Sequence, residues 1–104
     1  MADKDYRLNK TISKFLKEIQ KKYKLDAAYL YGSFAKGTFN KWSDIDIAII
    51  SPDFSDNPFE DRLLLMQLAA TIDDRLEQRP FKRGAFNPND PLVYEIQKTG
   101  IQLI

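Results

Sequence analysis

The stretch from Tyr29 to Ile50, YLYGSFAKGTFNKWSDIDIAII, limits what this chain can fold into more than any other. It reads as strand, tight glycine turn, short helix and second strand. Ala28, Tyr29, Leu30 and Tyr31 form an apolar, aromatic-rich run suited to a buried strand. Gly32 lets the chain turn where a Cβ would clash or block the approach of a ligand. Ser33 follows with a hydroxyl and a free N–H, opening a short segment from Phe34 to Lys36 that Gly37 ends as a C-cap. Unpaired N–H groups after such a turn suit a phosphate.

The second strand is expected to carry Asp44 and Asp46 on one face, because side chains alternate with period two. Ile45, Ile47 and Ile49 then point the other way, into a core. Two carboxylates on one strand face repel unless a cation lies between them. Mg²⁺ takes oxygen ligands of this kind and completes its shell with substrate phosphates. A solvated strand face is the bland alternative. Asp is depleted in strands, and the apolar end Ile47 to Ile50 points to a buried one.

Gly32-Ser33, ten intervening residues and then Asp44-x-Asp46 resembles the signature of the nucleotidyltransferase superfamily that includes DNA polymerase beta. More narrowly, GSFAKGT…SDIDIAII is similar to the minimal nucleotidyltransferases, or MNT proteins, many of which act as antitoxins of HEPN-domain toxins. The resemblance implies one minimal nucleotidyltransferase domain over residues 1–104. It implies an α/β fold like the polymerase-beta palm: a small mixed sheet of three or four strands, with flanking helices mainly on one side. It also implies ATP as substrate and a two-ion Mg²⁺ site. Asp44 and Asp46 would be metal ligands and catalytic residues, and Gly32 and Ser33 would bind the nucleotide. The third carboxylate comes from a later strand in this superfamily. LEQRPF resembles a segment of MNT relatives and nominates Glu77, with Asp73 and Asp74 as alternatives and an ordinary surface carboxylate as the bland reading. Lys36 would neutralise phosphate charge or remain a solvated helix lysine. Trp42 is read as core or rim packing rather than as a stack for a base.

A chain of 104 residues supports one modest core. Without cysteine or histidine, disulfides, thiolate chemistry and histidine metal ligation are excluded, so a metal would be held by oxygen. No apolar run approaches the length of a membrane span, and MADKDYRLNK does not read as a signal peptide, so a cytoplasmic location without membrane contact is expected. Residues 1–24 carry a net charge of +5, and residues 44–77 carry −7. The basic part is read as the solvated side of an amphipathic helix, with direct nucleic-acid binding disfavoured.

Leu8, Ile12, Phe15, Leu16, Ile19 and Tyr23 form the apolar stripe of a helix from Asp5 to about Lys24. Asn57-Pro58 opens a helix running to about Asp73, and Asp90-Pro91 opens another ending at Thr99. In the first of these, Phe59, Leu63, Met66 and Ala70 make one stripe, widened by Leu64, Leu65, Leu68, Ala69 and Ile72. Burial against the sheet and an exposed patch for a partner both remain open. In the second, Leu92, Val93, Tyr94 and Ile96 are expected to pack inward. Arg75 to Phe81 reads as a strand, with Pro80 near its end or at the sheet edge. Ile101 to Ile104 would form a last short strand.

One minimal domain of this size is expected to lack an acceptor-holding domain. The expected reaction is transfer of AMP from ATP to a hydroxyl presented in trans, namely a tyrosine of a HEPN-domain toxin. The alternatives are a non-catalytic antitoxin that masks its toxin, and a small-molecule nucleotidyltransferase acting as a homodimer.

Overall fold

The computed structural model describes residues 3–40 and 42–104. Helix α1 spans Asp3–Gln20, and a turn replaces its expected last residues. Strand β1 is Ala27–Tyr31, α2 is Ser33–Lys36 and β2 is Ile45–Ser51. Helix α3 is Pro58–Ala70, β3 is Leu76–Lys82, α4 is Pro91–Thr99 and β4 is Ile101–Gln102. The four strands form one mixed sheet in the order β3-β2-β1-β4. β1 pairs antiparallel with β2 and β4, while β2 and β3 run parallel across the α3 crossover. This is the α/β arrangement expected from the resemblance. No described helix is long and apolar enough to cross a membrane.

The helix starts follow from local chemistry. The Asn57 side chain accepts a hydrogen bond from the Phe59 N–H at 3.1 Å, and Pro58 sits where no intrahelical donor is needed. Asp90 accepts from the Leu92 N–H at 2.9 Å, again followed by proline. Both devices were legible as Asn-Pro and Asp-Pro.

The main core lies on one side of the sheet. Ile45, Ile47 and Ile49 of β2 are fully buried there with Ala28 and Leu30 of β1. Phe15 and Ile19 of α1 and Leu65 and Ala69 of α3 cover them. Lys10, Lys14 and Lys17 line the exposed side of α1, as its periodicity predicted, and Lys21 is exposed in the turn that follows. Val93 and Ile96 are also buried, but outside this cluster; α4 packs separately, against β1.

Two side chains differ from expectation. Tyr94 is 54% exposed rather than inward, because Val93 and Ile96 already supply the buried side of a short helix. Trp42 is 81% exposed in the α2–β2 loop, outside the core, and Asn40 and Ser43 side chains hydrogen-bond that loop's backbone.

Strand β3 is a sheet edge, and Pro80 sits on it. The Arg75 carbonyl accepts from the Ile45 N–H and the Arg83 N–H donates to the Ser51 carbonyl, so odd-numbered residues of β3 face β2. By alternation Pro80 faces outward, where its missing donor breaks no ladder bond.

Candidate active site

The opposite sheet face carries the polar chemistry. Tyr31 lies across from Asp46 in the β1–β2 pair, and Asp46 lies beside Glu77 in the β2–β3 pair. Register partners share a face, so Tyr31, Asp46 and Glu77 form one row across three strands. Arg79, two residues after Glu77, shares that face. The other end of this face is closed by aromatic packing. Phe86 stacks on Tyr29 at 5.3 Å and meets Phe81 edge-on at 5.2 Å.

Asp44 lies just before β2, not within it, and is exposed. The strand begins at Ile45, whose N–H is taken by the Arg75 carbonyl at 2.7 Å. Asp46 is partly buried, and Glu77 is exposed. Burial is the main cause that raises the Asp46 carboxyl above its ordinary range; the nearby Asp44 and Glu77 carboxylates add to this, and Arg79 opposes it. Burial likewise pushes the Tyr31 hydroxyl up, with Arg79 pulling against it and the Asp46 and Glu77 charges adding to it. Among the described residues, Asp44, Asp46 and Glu77 form no ion pair, and no group of three acidic side chains converges tightly enough to enclose a metal ion. The three are near enough to feel one another, and excess negative charge is what a cation would relieve. Of the two alternatives to Glu77, Asp73 is held by Arg75 at 3.0 Å and Asp74 is exposed in the turn before β3.

Gly32 joins the turn to this row. Its φ of 73° and ψ of −151° belong to a region that only glycine occupies readily. A Cβ there would lie 2.3 Å from Asp46 Oδ2. The turn is thus packed directly against the carboxylate. Helical bonding in α2 begins with the Lys36 N–H donating to the Gly32 carbonyl at 3.1 Å. The N–H groups of Ser33, Phe34 and Ala35 therefore have no intrahelical acceptor. Phe34 and Ala35 pack against the core, and Phe34 stacks on Phe39 at 4.5 Å, which anchors the short helix. Gly37 caps it with φ 77°.

Lys36 Nζ is bound to Glu95 of α4 at 2.6 Å. The structure thus brings together Gly32, Ser33, Asp44, Asp46 and Glu77, and turns Lys36 toward α4. Sequence reasoning missed Tyr31 as a member of this face and put Arg79 on the face of Glu77 without giving it a role. The period-two step from Glu77 to Arg79 was available in the sequence, whereas the pairing of Tyr31 with Asp46 needs the register.

Comparison with known proteins gives a consistent result. Residues 12–95 match the model of the nucleotidyltransferase domain family. A toxin–antitoxin crystal structure with AMP-PNP aligns at TM-score 0.66 and 31% identity, over 91% of this chain and 71% of that one. A mutant of the MntA–HpeT toxin–antitoxin aligns at TM-score 0.65 and 31% identity, with the same coverage. A nucleotidyltransferase-like protein from Sulfolobus solfataricus shares the fold at TM-score 0.64 and 20% identity, over 94% and 82% of the two chains. No curated protein matches the sequence. The fold, the glycine turn against Asp46 and the match over most of the chain lead to one conclusion: this protein belongs to the nucleotidyltransferase domain family.

Proposed function

We propose that this chain is an antitoxin that transfers AMP from ATP to a tyrosine hydroxyl of a HEPN-domain toxin. The observation that supports the reading is the close approach of the Gly32 turn to Asp46, in a row with Glu77. The similarity to toxin–antitoxin structures, one of them with AMP-PNP, supports the role and the nucleotide.

In this reading the free N–H groups of Ser33, Phe34 and Ala35 and the Ser33 hydroxyl hold the phosphates. Gly32 allows the backbone to come close. Asp44 and Asp46 hold divalent metal, with Glu77 as third carboxylate from the adjacent strand. Bound Mg²⁺ supplies charge neutralisation at the phosphates and activation of the attacking hydroxyl. Arg79 provides a positive charge beside the row. Lys36 reaches the nucleotide only by leaving Glu95. Both side chains of this ion pair are exposed, and solvent screens it, so the release costs little. The toxin hydroxyl gives up its proton to solvent and attacks the α-phosphorus; the new O–P bond forms as the bond to pyrophosphate breaks, and pyrophosphate leaves. The partner orients its hydroxyl in line, so proximity contributes much of the rate.

The test is intact-mass measurement of a HEPN-domain toxin after incubation with this protein, ATP and Mg²⁺. The toxin should gain one adenylate per modified tyrosine, and Asp46→Asn should reduce the rate by at least ~10³-fold. Protection of the toxin by Asp46→Asn at wild-type level, without any mass gain, would leave simple masking as the function.

A further inference from the structure

We propose that the outer face of α3 docks the acceptor-bearing protein, and that it takes a cationic amphipathic helix; the link to an acceptor rests on the transfer reading above. Phe59, Leu63 and Met66 follow one another at steps of four and three, so they lie along one stripe. They are 71%, 45% and 53% exposed. Leu65 and Ala69 fill the core from the other side of the same helix. The stripe presents apolar area on the order of 300 Å², at the scale that marks an interaction site rather than scattered surface.

Three further features define the occupant. First, the rim is acidic: Glu60, Asp74 and Glu77 are exposed, against Arg62. Second, a cleft of about 310 Å³ runs between the end of α3 and the start of β3, lined by Met66 and Ala70 and by Glu77 and Gln78. Gln78 is only 4% exposed, and its Oε1 has no hydrogen-bond partner among the described residues. The cleft wall also carries Asp73, Asp74 and Arg62; Asp73 is held by Arg75, so Asp74 and Glu77 outweigh the single Arg62 and leave the cleft net acidic. A segment with an apolar face flanked by Lys or Arg complements all of this, docking as a helix in a groove. Third, Glu77 lines the cleft and is also the register neighbour of Asp46. A partner seated on α3 thus lies at the margin of the candidate active site.

Two other occupants fit worse. A second copy packed α3 against α3 about a two-fold axis would bring equal acidic rims together. An added β-strand on β3 would meet Pro80, which offers no donor on the outward edge.

The experiment uses the full chain labelled with ¹⁵N and two synthetic helices of about 18 residues with the same leucine face. One carries lysine on its polar side and the other glutamate. The lysine helix should shift amide signals of α3 and of Leu76 to Gln78, and bind at least about tenfold more tightly than the glutamate helix. The double variant Leu63→Ser/Met66→Ser should lose about tenfold in that affinity while keeping its thermal midpoint and its Mg-ATP binding. Equal binding of both helices, absence of binding to α3, shifts confined to other elements, or undiminished binding by the double variant overturns the surface. So does a dimer in sedimentation that the double variant abolishes, since the face is then covered by a second copy. Docking of the lysine helix on α3 by a chain that binds no nucleotide sinks the transfer reading alone. Mg-ATP binding without docking sinks the surface alone.

Discussion

The two faces of the sheet are built from alternate residues of the same strands, yet they obey different rules. On one face of β2, Ile45, Ile47 and Ile49 are fully buried under α1 and α3. On the other, Asp46 stands between Tyr31 and Glu77, with its proton affinity raised first by burial and then by neighbouring carboxylates. The first face is satisfied by its own packing. The second concentrates like charge beside a glycine turn, with Arg79 the opposing charge and no ion pair to these carboxylates among the described residues. If stability resides in the one and the proposed chemistry in the other, substitutions on neighbouring residues of one strand should separate them.

The largest expected effect is on the apolar face. Ile47→Ala removes a fully buried side chain from the middle of the central strand. It should cost about 2–5 kcal/mol, enough to unfold a substantial fraction of a chain this small. Urea denaturation measures it directly. A loss below about 1 kcal/mol would mean that this face is not the structural half.

Next come the two glycines that bracket α2. Gly32 and Gly37 have nearly equal φ, 73° and 77°. A Cβ on Gly37 meets nothing within 4 Å, whereas one on Gly32 meets the Asp46 carboxylate. Gly37→Ala should cost on the order of 1 kcal/mol for left-handed backbone and leave transfer almost unchanged. Gly32→Ala should cost about 1–3 kcal/mol, and it should also lower transfer roughly 10²-fold by displacing Asp46 or the turn. Paired melting curves and single-turnover rates on the two variants check this. Equal rates in both would detach the turn from the carboxylate row.

The apolar face was largely readable from the sequence, since alternation from Ile45 to Ile49 and the stripe of α1 need only local periodicity. The glycine turn and the aspartates were readable as a motif. What was not readable depended on register or on choice among equivalent faces. Tyr31 joins the row only because β1 pairs with β2 as it does. Helix α3 is apolar nearly all round, so periodicity could not decide that Leu65 and Ala69 turn inward while Phe59 and Met66 stay out. Asp44 reads as a strand residue by alternation, but the pairing begins one residue later, at Ile45.

The smallest expected effect is also the one with an unusual sign. Asp46 holds its proton above the ordinary carboxylate range in the folded chain. A proton held more tightly in the folded than in the unfolded state means that ionisation works against folding. This cost is absent below the unfolded pKa, grows as pH rises through the folded one, and is complete at neutral pH. Asp46→Asn removes the charge and keeps the shape. In chelator at neutral pH the variant should therefore melt higher than wild type, by roughly 2–4 °C if the partly solvated carboxylate costs about 0.5 kcal/mol. The difference should shrink as pH falls into the carboxylate range, where wild type protonates and the two chains become alike. Saturating Mg-ATP should reverse the order, because a ligand that binds only the folded wild type adds RT ln(1 + [L]/Kd) to its stability. An Asn variant that melts lower than wild type at neutral pH in chelator would show that the Asp46 charge is compensated within the chain, and the polar face would then be as self-sufficient as the apolar one.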